Sequence, residues 1–161
     1  MNSNKLKVIN LDEVDHKILS ILQKEGRLPI VELAKRIHLT TTPCSDRVKR
    51  LECEGLINHY SAVISPEKLG LNLIIFIHVR LDQNSMMVFE NFANAISAID
   101  AIEECYSLTG EFDMMLKVRV ADMSDYQMFM ANNLPHLPGI IQSRSEVVIK
   151  EFKRFEGFQL G

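Results

Sequence analysis

"HLTTTPCSDRVKR", residues 38–50, decides how the first half of the chain folds. Three consecutive threonines and a proline lie between two segments with helical spacing. Before them, residues 29–37 place Ile30, Leu33, Ala34 and Ile37 on one stripe, and Pro29 suits a first helical turn, where its missing N–H costs nothing. After them, residues 41–54 place Cys44, Val48 and Leu51 on a second inner stripe. Two short helices that cross steeply need a turn of about three to four residues, and "HLT" supplies it. Leu39 points back into the core. Thr40 caps the later helix through its hydroxyl; Thr42 is a rival cap, because the residue before Pro43 avoids the α region. Either way Pro43 falls in the first turn, where proline is tolerated.

The face away from Cys44, Val48 and Leu51 carries Thr41, Thr42, Ser45, Asp46 and Lys49, with Arg47 and Arg50 close by. Short hydroxyls bring a helix N-terminus near a phosphate or a base edge. Cations one or two turns on neutralise backbone charge. This is the pattern of a recognition helix in a major groove. A plainer alternative is a three-helix docking module whose threonines only cap. Turn spacing, exposed face and local charge together favour the first. The whole chain is at −3, but residues 1–65 carry 10 basic against 8 acidic residues, and residues 26–50 carry six basic (Arg27 among them) against two acidic. An anion partner is indicated for this half, and Arg27 joins the helix residues as a candidate DNA contact.

Outward from this centre, residues 12–25 read as a preceding helix with Val14, Ile18, Ile21 and Leu22 inward, ended by a left-handed Gly26. Gly55 ends the third helix, and "LINHYSAVIS" alternates like a strand. Ser65-Pro66 begins a linker to Gly70. Beyond it the period changes. "LNLIIFIHVRLD" reads as a strand, "SMMVFENFANAISAI" as a helix, and "AIEECYSLTGEFDMMLKVRV" as two strands around Gly110, with Ile102, Cys105, Tyr106 and Leu108 on one side. "DMSDYQMFMANNLPHL" is a helix capped by Asp122 or Ser124, and "IIQSRSEVVIKEF" is a last strand. That order is the ferredoxin-like split βαβ pattern. The expected fold class is α+β: an N-terminal winged helix-turn-helix domain with a hinge strand over residues 1–65, and a C-terminal ferredoxin-like βαββαβ sandwich over 66–161.

Several classes are excluded by composition. The longest apolar run, "LNLIIFIHV", is too short to span a bilayer, and the first residues hold no apolar leader. Cys44, Cys53 and Cys105 form no metal spacing, nor does any pair of the five histidines; an odd count without an export signal points to reduced thiols in the cytoplasm. No metal and no cofactor are expected. Glu111 and Asp113 are two apart, but no nucleophile, metal set or phosphate loop accompanies them, so an enzyme is not expected.

The segments "LDEVDHKILSILQKEGR", "VELAKRIHLTTTPCSDRVKRLECEGLINHYSAVI" and "LTGEFDMMLKVRV" together resemble the Lrp/AsnC family of bacterial and archaeal transcriptional regulators. The resemblance implies a DNA-binding domain joined by a hinge strand to an effector-sensing and oligomerisation domain. It implies binding of double-stranded DNA, and an amino-acid effector, leucine or methionine or a relative, held at subunit interfaces. It also implies homodimers through paired sheets, and an octamer built as a tetramer of dimers. Two residues depart from the family pattern: His38 stands where the helix-turn-helix bend commonly has glycine, and Glu111 follows Gly110 where the family has aspartate.

By position, the resemblance suggests an effector pocket from Tyr106, Gly110, Glu111, Phe112, Asp113 and Met114, with Met123, His136, Val147 and Val148 as further candidates. The chemistry is consistent with that placement. A carboxylate recognises an ammonium group, and backbone N–H groups around a glycine recognise a carboxylate, so together they select a zwitterion. An effector-independent, nucleoid-like architectural DNA binder is the alternative function.

Overall fold

A computed structural model describes residues 9–82 and 87–160. Ser85 and Met86, read above as the start of a helix, lie outside the described residues, as does the leader reading of residues 1–8. The chain forms two compact units, Met1–Val63 with Lys153–Gly161, and Ile64–Phe152. The expected boundary is 65/66; by contacts, the segment from Lys153 onward groups with the first unit.

In the first unit, helices α1 (Glu13–Leu22), α2 (Ile30–Arg36) and α3 (Thr41–Cys53) close around Ile18, Leu22, Leu33, Ala34, Ile37, Cys44, Val48 and Leu51. Burying each large aliphatic side chain contributes roughly 1.5–3 kcal/mol. A reciprocal capping box opens α1: the Asp15 N–H donates to Asp12 Oδ1 (2.8 Å) and the Asp12 N–H donates to Asp15 Oδ2 (3.1 Å). The helix stops three residues before the expected 25, as the Lys24 and Glu25 amides both turn back to the Ile21 carbonyl. Gly26 is not left-handed. Its small size instead admits the Tyr60 ring, whose Cδ1 would lie 3.3 Å from an added Cβ.

Pro29 sits just before the first residue of α2, as its N-cap. His38 then closes α2 in the left-handed region, φ 58°. Its N–H donates to Lys35 O (3.2 Å) and the Leu39 N–H donates to Ala34 O (2.9 Å), the paired bonds of a Schellman end. Thr40 is the N-cap of α3, but its hydroxyl makes no capping bond; its carbonyl accepts the Cys44 N–H. Gly55, φ 74°, repeats the Schellman end for α3. The stretch read as a hinge strand, residues 56–65, carries no strand pairing in the single chain. An extended segment needs a neighbouring strand for its ladder bonds, and no described strand pairs with it.

The second unit is a four-stranded antiparallel sheet in the order β2-β3-β1-β4, from β1 (Leu73–Leu81), β2 (Ile102–Ser107), β3 (Met114–Val120) and β4 (Ile140–Val147). Helices α4 (Met87–Ile96) and α5 (Met123–Asn132) supply Phe92 and Phe129 to a core with Ile75, Ile77, Val79, Leu81, Met114, Leu116 and Val118. This is the expected ferredoxin-like layer. Asp122 caps α5 by accepting the Ser124 and Asp125 amides. Gly139, φ 75°, precedes β4 where an added Cβ would come within 2.6 Å of Val88 Cγ1. β4 ends at Val147, five residues earlier than the sequence pattern suggests.

The other face of the sheet holds alternate residues of opposite charge. Lys117 Nζ lies 3.2 Å from Glu103 and 2.8 Å from Glu104, and Arg119 pairs with Glu103. The Lys117 and Tyr106 hydrogen bonds hold the Glu104 carboxyl below its ordinary range. A register shift between Ile102 and Glu104 explains an exception to strand alternation. Ile102 and Cys105, three apart, both pack on the core, so Tyr106 turns outward and donates its hydroxyl to Glu104. Tyr106 is therefore not on the Ile102–Cys105 side.

Candidate functional site

Two sites emerge, one in each unit. In the first, α3 presents Thr41, Thr42, Asp46 and Lys49 to solvent and half-buries Ser45, while Cys44 and Leu51 are fully covered. Burial pushes the Cys44 thiol up, as befits a small core residue. The expected outward threonine–serine edge is thus present.

Two of its expected cations have a further task. Arg47 Nη1 donates to Asp12 Oδ2 (2.6 Å) and Asp15 Oδ1 (2.8 Å), and Arg50 Nη2 donates to Asp15 Oδ2. Asp15 is 1% exposed, yet both its oxygens are satisfied. A buried carboxylate needs such partners. The Asp15 amide and the Arg47 guanidinium hold the Asp12 carboxyl below its usual range. The cluster ties α1 to α3. Nothing in the sequence reading assigned Asp15 a role. The available signal was D-x-x-D before an apolar stripe, matched by arginines three apart on another helix.

Lys35 and Arg36 also face acids: Lys35 lies 3.7 Å from Glu32, and Arg36 lies 2.6 Å from Glu25 and 3.9 Å from Glu32. Among the described residues Lys49 and Arg27, both exposed, form no ion pair. The net positive surface is accordingly narrower than the residue count suggests.

In the second unit, a cleft of about 330 Å³ opens where the end of β1 meets the turn before β3. Gly110, Glu111 and Asp113 line it, together with Arg80, Leu81 and Asp82 of β1 and its exit, and Ile141 of β4. Main-chain bonds build its floor: the Asp113 N–H donates to Val79 O (2.9 Å), the Leu81 N–H to Asp113 Oδ2 (2.8 Å), and the Asp82 N–H to Gly139 O (2.8 Å). Arg80 Nε donates to the Glu111 carbonyl at 3.0 Å. Gly110 adopts φ 132°, which a side chain would resist. The turn, and not a strand, brings Glu111 and Asp113 to the cleft. One guanidinium and three carboxylates within about 330 Å³ can receive both ends of a zwitterion.

The remaining expected pocket residues do not line this cleft. Phe112 is buried against the sheet, under the Arg144 guanidinium (5.3 Å to the ring centroid) and beside the His78 ring (5.6 Å). Met114 faces the helices, because adjacent strand residues point to opposite sides. Tyr106 is on the charged face. Met123 starts α5 and His136 lies in the helical turn Leu134–His136, both exposed. Val147 ends β4, and the Val148 N–H donates to Ile74 O. Arg80, Leu81, Asp82 and Ile141 were missed by the sequence reading, because on a strand they look like ordinary alternating positions.

Comparison with known proteins follows this division. The winged helix-turn-helix DNA-binding profile matches residues 11–58, and the Lrp/AsnC ligand binding domain profile matches residues 74–158. The chain belongs to the Lrp/AsnC family. It is 42% identical over 145 residues to the leucine-responsive regulatory proteins of Escherichia coli K12 and Klebsiella pneumoniae, covering 90% of this chain and 88% of each relative. Among solved structures it resembles a Neisseria meningitidis transcriptional regulator in complex with L-methionine, with TM-score 0.89 and 36% identity over 94% of this chain and 97% of that one. An AsnC family regulator of Agrobacterium tumefaciens also gives TM-score 0.89, with 29% identity over 93% and 97%. No helix among the described residues is long and apolar enough to cross a membrane.

Proposed function

We propose that this Lrp/AsnC member is a sequence-specific regulator of transcription in the cytoplasm that binds double-stranded DNA through α3 and changes its assembly or DNA affinity when an amino acid fills the cleft beside Gly110. The observation that carries the reading is the outward Thr41–Thr42–Ser45 edge over a dry Cys44–Val48–Leu51 stripe. In this reading Thr41, Thr42, Ser45 and Asp46 face base edges or adjacent phosphates. Lys49 and Arg27 supply phosphate contacts. Arg47 and Arg50, still partly exposed, reach phosphate only from within the Asp15 cluster.

Arg80 and the backbone around Gly110 receive the effector carboxylate, and Glu111 or Asp113 its ammonium. Leucine and methionine are the first candidates, since a methionine complex of a 36%-identical regulator is known. The chain works as a homo-oligomer, a dimer and then a tetramer of dimers. Support for this comes from the unpaired segment 56–65, where Val63 is fully exposed, and from the open charged face of the sheet. Catalysis has no place in this reading, whose chemistry is binding alone.

A thermal-shift screen of the twenty amino acids, followed by DNA binding with and without each hit, tests the reading. A ligand that prefers the folded state must raise the melting temperature. Shifts by one or two amino acids, accompanied by altered DNA affinity, are expected. DNA binding that no amino acid alters would favour the architectural alternative, and turnover of any ligand would overturn the binding reading.

A further inference from the structure

Residues 153–160 follow the last strand of the sensor but belong to the DNA-reading unit. There Gln23, the C-cap residue of α1, donates Nε2–H to the Phe158 carbonyl (2.8 Å) and accepts the Phe158 N–H on Oε1 (2.8 Å). One side-chain amide thus makes both bonds that a neighbouring strand would make. Gly157 permits the approach for two independent reasons. Its φ is 118°, and an added Cβ would lie 2.4 Å from Gln23 Oε1 and 2.7 Å from Cδ. Phe155 and Phe158 meet edge to face at 5.0 Å, which orders the segment further.

The chain therefore crosses between the units twice, after Val63 and after Phe152. The second crossing lies five residues beyond the end of β4, the strand that carries Ile141 of the cleft. Its far end is tied to α1, the helix whose Asp15 holds Arg47 and Arg50 of α3.

We propose that residues 153–160 are a strap, latched by Gln23 onto Phe158, that ties the DNA-reading unit to the sensor at a second point and carries effector-dependent movement of β4 to α1. The latch stands on the geometry alone; its transmitting role rests on the effector reading above. Two covalent crossings give two routes along which a change in one unit can reach the other. Coupling between sites needs an element whose arrangement both sites bias.

The test uses the full chain. Hydrogen exchange followed by mass spectrometry should find 153–160 protected in the wild type. Gln23→Ala should speed exchange there more than tenfold without changing residues 13–22, and Gly157→Ala should do the same. In both variants the ratio of DNA affinities with and without saturating L-methionine should move at least threefold toward one. Unprotected exchange of 153–160 in the wild type overturns the latch. An unchanged affinity ratio in both released variants overturns the transmitting role. A wild type whose DNA binding ignores every amino acid overturns the effector reading and that role together, and the exchange data still decide the latch.

Discussion

Asp15 of α1 and Arg47 of α3 meet at 2.8 Å, and the same buried carboxylate also holds Arg50. The pair is structural before it is functional. Removing the acid leaves Arg47 and Arg50 without their shared partner and Asp12 without half its capping box. Asp15→Ala should therefore destabilise the DNA-reading unit by about 2–4 kcal/mol, below the upper end for a broken buried pair because both arginines keep solvent access. Urea unfolding followed by circular dichroism measures it, and a loss below 1 kcal/mol would show the cluster to be ornamental.

His38 occupies a left-handed conformation that costs a non-glycine residue roughly 1–2 kcal/mol. Glycine there should raise stability by about 0.5–1 kcal/mol, part of the gain being lost to a more flexible unfolded chain. DNA affinity should be unchanged, since His38 lies in the bend and not on the reading edge. A lower melting temperature for His38→Gly would mean that the imidazole has a partner of its own.

Lys49 is exposed, unpaired among the described residues, and on the reading edge. Its replacement by alanine should weaken binding to all sequences and lower the slope of log affinity against log salt by about 0.9. Exchange at Thr42 or Ser45 should instead change which sequences are preferred. Titrations at several salt concentrations against specific and random duplexes separate the two behaviours.

Asp113 both lines the cleft and accepts the Leu81 amide. Alanine would therefore confuse a lost ligand contact with a damaged floor. Asp113→Asn keeps an acceptor and should preserve the fold while abolishing most of the thermal shift given by the effector. Glu111→Gln is the companion test, since Glu111 contacts Arg80 only through its carbonyl. Full retention of the shift in both variants would place the ammonium elsewhere.

Acid should loosen the first unit. The Asp12 carboxyl titrates below its ordinary value, chiefly through the Asp15 amide and then Arg47. A depressed carboxyl contributes stability that is fully present above the unfolded value near ~4 and is lost as pH falls through the folded one. Glu25, held down by Arg36, acts in the same direction. Melting temperatures measured from pH 5 down to 3 should fall less steeply in Asp12→Asn than in the wild type.

Much of the fold was legible because two periodicities mark it. The 3.6-residue stripe of Cys44, Val48 and Leu51 and the two-residue alternation of Met114, Leu116 and Val118 report directly which face is dry. Breaks in periodicity were not legible. The bulge at Glu103 reverses Tyr106, and Gly26 accommodates a ring instead of a turn, because both depend on distant partners. The outward Thr41–Thr42 edge of α3 was legible since it is local to one helix. The lining of the cleft was legible only in part: Glu111 and Asp113 lie in one turn, but Arg80 and Ile141 arrive from strands remote in sequence, through pairing that composition does not encode. Asp15 was missed for the same reason, as its partners lie 32 and 35 residues away.

The cleft floor is held by the Asp113 amide on the Val79 carbonyl, the Asp82 amide on the Gly139 carbonyl, and the Asp113 carboxylate on the Leu81 amide. Its shape is consequently set largely by main-chain bonds, with Arg80, Asp82, Glu111 and Ile141 lining the rest of it. Under the proposed reading, a different effector would be admitted by substitutions at these positions, with no change to the outward face of α3.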